Sequence, residues 1–162
     1  MTQTQIEEKA VEILKEYEMD GLIPFDPVRL ANMLGIEVKN ARFKQCGTAG
    51  LISTSYKKTT IYINADDSPN RKRFAIAHEL GHYFLHIEDK AQGDIKVDMW
   101  RDINRAKDER EKEANTFAAY LLMDEGCIRS LWNELKSVKR MIDIFKVSAA
   151  DMSYRLMKLR LI

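Results

Sequence analysis

Apolar residues recur at helical spacing from the start of the chain. Ile6, Ala10, Ile13, Leu14 and Tyr17, behind an acidic first turn, predict an amphipathic helix over 4–18. The run Gly21-Leu22-Ile23-Pro24-Phe25-Asp26-Pro27 breaks that period. Asp26-Pro27 reads as N-cap and first position of a short helix through Leu34, stopped by Gly35. Three strands are then predicted at 36–43, 49–54 and 59–64, separated by Cys46-Gly47 and by Tyr56-Lys57-Lys58. The last is β-branched and short, and reads as an edge. From Ser68-Pro69 the helical period resumes and persists to the end, interrupted near Gln92-Gly93-Asp94. Two helices, a small three-stranded meander and a run of helices make an α+β fold.

Length and composition narrow the possibilities. A chain of 162 residues and 18.8 kDa fits one domain. Within it, 1–67 would hold the first helices and the sheet, 68–124 the motif-bearing helices and 125–162 a C-terminal helical segment. A domain of this size buries roughly 70% of its unfolded surface and needs no metal or disulfide merely to fold. The 26 basic and 25 acidic residues leave a net charge of +1, which argues against direct binding of nucleic acid. Cys46 and Cys127 are far apart with no CxxC pairing, so neither a disulfide framework nor a zinc knuckle is expected. The N-terminus has no basic region followed by an apolar one, and no run approaches the ~18 apolar residues of a membrane span. The expectation is a cytoplasmic protein with no membrane partner.

All three histidines fall within Phe74-Ala75-Ile76-Ala77-His78-Glu79-Leu80-Gly81-His82-Tyr83-Phe84-Leu85-His86. His78-Glu79-x-x-His82 has the HExxH spacing of zinc peptidases. Residues four apart on a helix lie about 40° from one another and one turn up, so two imidazoles can reach one cation. Glu79 is rotated about 100° from His78, and is placed to act as general base on a water held by the metal. Ile76, Leu80, Tyr83 and Ile87 form an apolar spine that leaves the histidines facing the other way. Gly81 costs the helix about 1 kcal/mol, which makes sense if another element packs closely there. His86 continues the series, but in a straight helix it would stand about 12 Å from His78, too far to share an ion, and it reads as structural.

A catalytic zinc takes three protein ligands and keeps one position open. Leu85 and Glu88 exclude the HExxHxxGxxH solution, so the third ligand should be a carboxylate from the helix beyond Lys107. Glu109, Glu111 and Glu113 compete. Glu111 stands three residues before Ala114 and seven before Ala118, in line with the apolar stripe, and is the first choice; Glu113, nearer the stripe's edge, is the second. Asn115, one turn on from Glu111, either orients a ligand histidine from outside the ligand set or satisfies backbone within the helix.

Arg71-Lys72-Arg73-Phe74-Ala75-Ile76-Ala77-His78-Glu79-Leu80-Gly81-His82 and Glu111-Lys112-Glu113-Ala114-Asn115-Thr116-Phe117-Ala118-Ala119-Tyr120-Leu121-Leu122-Met123 together resemble the ImmA/IrrE family of metallopeptidases. The opening helix, the Ile23–Pro27 turn with Leu34-Gly35-Ile36, and the stretch from Val147-Ser148 to Arg155-Leu156 share in the resemblance, so it covers most of the chain. It implies a compact zincin-like domain of gluzincin type, with Zn2+ on His78, His82 and Glu111 and with Glu79 as catalytic base. It also implies an endopeptidase that acts as an anti-repressor of a phage or mobile element, cleaving a helix-turn-helix repressor. A protein that binds and inactivates its repressor without cutting it, its metal structural, is the alternative. The chain departs from the family at Met123-Asp124, where such chains often read Met-Pro; Asp caps a following helix as readily as Pro starts one.

Two further expectations concern the rest of the chain. A substrate backbone would add to the edge strand around 60–63, and one of Tyr56, Tyr62, Tyr83, Tyr120 and Tyr154 would steady the reacting carbonyl. The segment 142–151 resembles half of a helix-turn-helix, with Ser148 and Asp151 forming a cap, but its apolar residues more simply pack it onto the domain.

Overall fold

Thr2 opens α1 (Gln3–Glu16) with a reciprocal cap: its hydroxyl accepts from the Gln5 N–H, and the Gln5 side chain accepts from the Thr2 N–H. The computed structural model describes residues 1–44, 47–55, 58–87, 97–98 and 109–162. Ile6, Ala10, Ile13 and Leu14 are buried as the period predicts. The expected acidic first turn is absent, because the helix starts one residue earlier and Glu7 and Glu8 lie beyond that turn. Asp26 caps α2 (Pro27–Met33) through the N–H groups of Val28 and Arg29, and Gly35, at φ 72°, ends it in a conformation that L side chains resist.

The sheet differs from the predicted meander. β1 (Glu37–Ala41) pairs in parallel with β3 (Lys58–Asn64), which pairs antiparallel with β2 (Gly50–Ser55). A two-residue strand, β4 (Val97–Asp98), lies against Ser53 and Thr54, giving the order β1-β3-β2-β4. β3 is therefore central, not an edge. Thr60 and Ile61, successive residues on opposite faces, are both buried, which suits a strand covered on both sides.

α3 (Pro69–His82) starts at Ser68, whose hydroxyl accepts from the Arg71 N–H, and continues into a π-helical turn, Tyr83–Ile87. It lies on β2 and β3 and packs most extensively against α4 (Glu109–Leu122), which α1 covers in turn. Gly81 makes this close packing possible. A Cβ there would stand 3.0 Å from both Cα and O of Ala114 and 3.3 Å from the Phe117 ring. The near neighbour expected from Gly81 is thus α4. Because α3 is covered on both sides, every residue from Ala75 to His82 is buried, and the histidine face is not a solvent face.

α5 (Glu125–Leu135), α6 (Val138–Phe145) and α7 (Ala149–Lys158) complete the fold. Asp124 does cap α5, accepting from the Cys127 N–H at 3.0 Å. Burial, with the Asp124 hydrogen bond and charge behind it, pushes the Cys127 thiol up to about 11; Cys46 lies outside the described residues. Between α6 and α7, Lys146 takes the left-handed conformation, at φ 55°, that a glycine usually supplies. Met141, Phe145, Val147, Met152 and Leu156 are buried, so this segment packs onto the domain. Arg155 is only 5% exposed, bonds the Met123 carbonyl and lies over the Tyr120 ring, leaving its charge turned away from any phosphate backbone. Among the described residues, no helix is long and apolar enough to cross a membrane.

Candidate metal centre

The contact of Gly81 with Ala114 decides what α3 and α4 bring together. Glu111, one helical turn before Ala114, lies on the face of α4 that meets the histidine face of α3. Its Oε1 is 3.0 Å from His82 Nε2 and its Oε2 is 3.3 Å from His78 Nε2. The two Nε2 atoms are themselves 3.1 Å apart. One donor atom from each of the three residues falls within 4.8 Å of the others, with the side chains 5%, 0% and 12% exposed.

The other two glutamates go elsewhere. Glu109 pairs with Lys112 on the exposed side of α4. Glu113, the second choice from the sequence, accepts from His86 at 2.9 Å and also meets the amine of Met1. Burial raises the Glu113 carboxyl, but the hydrogen bonds from that amine and from His86 outweigh it and hold it below the usual carboxylate range.

Asn115 lies where the sequence suggested it could serve a ligand. Its Oδ1 is 2.6 Å from His78 Nδ1, and an amide oxygen can only accept. His78 therefore carries a proton on Nδ1, and in the neutral ring its Nε2 presents a lone pair to His82 and Glu111. His86, read from the sequence as structural, stands with its Nδ1 3.0 Å from His82 Nδ1 and links that ring to Glu113.

Glu79 is fully buried beside the cluster. It lies against the first residue of β2: a Cβ on Gly50 would come within 2.8 Å of Glu79 Oε1 and 3.3 Å of the Tyr62 carbonyl. Sequence reasoning passed over Gly50, although a glycine opening a strand is a known mark of close approach by another group. Of the candidate tyrosines, Tyr120 uses its hydroxyl to accept from Gln3 and Tyr154 is exposed, while Tyr56 lies outside the described residues. A cavity of about 560 Å³ borders Asn115 and Phe74 and runs between α4 and α7.

The donor set fits a divalent cation. Three lone-pair-bearing atoms packed this closely repel one another unless a positive charge lies among them. Two imidazoles and one carboxylate are also a set that zinc accepts while keeping an open coordination position. None of the curated proteins matches the chain. The family model of Peptidase M78, described as the IrrE N-terminal-like domain, matches residues 31–157, from within α2 to the end of α7. That match covers most of the chain, including both helices of the cluster, and so the protein belongs to the M78 family of metal-dependent peptidases.

Proposed function

We propose that the protein is a zinc-dependent endopeptidase that works in the cytoplasm as an anti-repressor, cleaving a helix-turn-helix transcriptional repressor. The observation that carries the peptidase reading is the convergence of His78, His82 and Glu111 beside the buried carboxylate of Glu79. Membership of the M78 family supports peptide-bond hydrolysis, and the resemblance of the motif blocks to ImmA/IrrE proteins supports the repressor as substrate.

His78, His82 and Glu111 would hold the ion. Bound there, zinc supplies a Lewis acid that polarises the scissile carbonyl and acidifies water. Glu79 takes the proton that water loses on attacking the carbonyl carbon, then delivers it to the amine nitrogen as the C–N bond breaks. Asn115 holds His78 with Nε2 turned inward, so the ring need not reorient to bind. Substrate cannot add to β3, as the sequence suggested, since β1 and β2 occupy both its sides. Gly50 makes β2 the strand next to Glu79.

The test is to incubate the purified chain with a helix-turn-helix repressor from the same genome and weigh the products intact. Wild type should yield two fragments whose masses sum to the repressor plus one water. Glu79→Gln should retain about one zinc per chain and yield none. A fully active Glu79→Gln overturns the role of Glu79. A repressor that binds wild type and is released whole favours the non-cleaving regulator.

A further inference from the structure

The geometry points to His86 and Glu113 as positioning residues for His82. They form a relay, carboxylate to imidazole to imidazole, that fixes the proton on each ring and aims the His82 Nε2 lone pair into the cluster. This inference rests on the metal-centre reading above, and the test below separates the two.

A neutral imidazole has one N–H and one lone pair, and an ionised carboxylate only accepts. His86 Nε2 is 2.9 Å from Glu113 Oε2, so the His86 proton is on Nε2. His86 Nδ1 then carries the lone pair. His82 Nδ1 is 3.0 Å away and must be the donor, so the His82 proton is on Nδ1. That leaves a lone pair on His82 Nε2, the atom 3.0 Å from Glu111 and 3.1 Å from His78 Nε2, and a cation among these atoms is what lets it face the carboxylate. Placing the His86 proton on Nδ1 instead would set two lone pairs face to face at Glu113. It would also turn the His82 proton inward, toward the ion's place.

The two ligand histidines are thus anchored differently. His78 donates to a neutral amide oxygen, whereas His82 donates to an imidazole that itself leans on a carboxylate. Partners of this kind fix the tautomer and make the ligand nitrogen a stronger donor. The side chains of His86 and Glu113 are 9% and 15% exposed, so water competes little for either contact. The π-helical turn Tyr83–Ile87 carries His86, and such turns occur disproportionately at functional sites.

With only three histidines in the chain, their ring nitrogens can be read individually. The full chain, labelled with 15N-histidine, loaded with zinc and held at about pH 8, where free histidine is neutral, should show the His86 proton on Nε2. Those of His78 and His82 should be on Nδ1. Against the stripped chain, bound zinc should shift Nε2 of His78 and His82. Zinc affinity, by competition with a chromophoric chelator, should fall about 10- to 100-fold in His86→Leu and in Glu113→Ala. His86→Gln, whose amide oxygen can accept from His82 Nδ1, should recover part of that loss. Melting temperatures of the zinc-free variants separate lost positioning from lost folding. A proton on His86 Nδ1 in zinc-loaded wild type overturns the relay, as does unchanged zinc affinity in both His86→Leu and Glu113→Ala. A wild type that takes up no zinc overturns the metal-centre reading, and the relay with it.

Discussion

A methyl group at position 50 would collide with the Glu79 carboxylate at 2.8 Å, and Glu79 has no exposed volume into which to withdraw. Gly50→Ala should therefore displace the base while leaving the ligands of α3 and α4 in place. Because misplacing a reacting group by about 1 Å can cost about 100-fold, kcat for repressor cleavage should fall by that order with zinc content unchanged. Full activity in Gly50→Ala would show that Glu79 relaxes freely. Residue identity alone marked His78, Glu79 and His82, since their spacing on one helix is local geometry. It did not mark Gly50, whose importance comes from a side chain 29 positions further along the chain.

At the scale of elements, the decisive contact is α3 on α4. Gly81→Ala would bring a Cβ to 3.0 Å from the Ala114 backbone and 3.3 Å from Phe117, so the helices must part by a few tenths of an ångström. Overpacking of this kind costs about 1–3 kcal/mol, partly offset by up to about 1 kcal/mol of better helix propensity. The zinc-free variant should melt lower than wild type. It should also bind zinc more weakly, because the same shift carries Glu111 away from the histidines. An unchanged melt and affinity would mean that the crossing is not under this constraint. The caps of α2, α5 and α7, at Asp26, Asp124 and Ser148, were legible in the sequence because a cap is made within a few residues. The place of β3 was not: a strand's own pattern does not say which partners lie on either side, and its parallel neighbour β1 comes from beyond β2 in the chain.

For the whole molecule, a site whose ligands His82 and Glu111 stand 29 residues apart on two helices should tie metal binding to stability. An ion that binds only the folded chain stabilises it by about 2.7 kcal/mol at 100 times its Kd. In a domain of this size that raises Tm by roughly 5–10 °C. Adding zinc to the stripped protein should produce such a rise in wild type and little in Glu111→Ala. Equal responses from both would remove Glu111 from the ligand set. The extensive core also implies that the stripped protein still melts cooperatively, rather than being unfolded without metal.

The sequence by itself determined what depends on near neighbours. It set the helical period, the caps, the α+β order of elements, the HExxH pair on one helix face and the need for a small residue at Gly81. Tertiary structure alone decided what depends on two elements meeting. Three glutamates share the first turns of α4, and only the rotation and close approach of that helix bring Glu111 to the histidines and leave Glu113 for His86. His86 stands one turn beyond His82, a position that marked it as no shared ligand but said nothing of a carboxylate 27 positions further along the chain. Hydrophobic periodicity records which face of an element is covered. It does not record by what, and at this site the covering element supplies the chemistry.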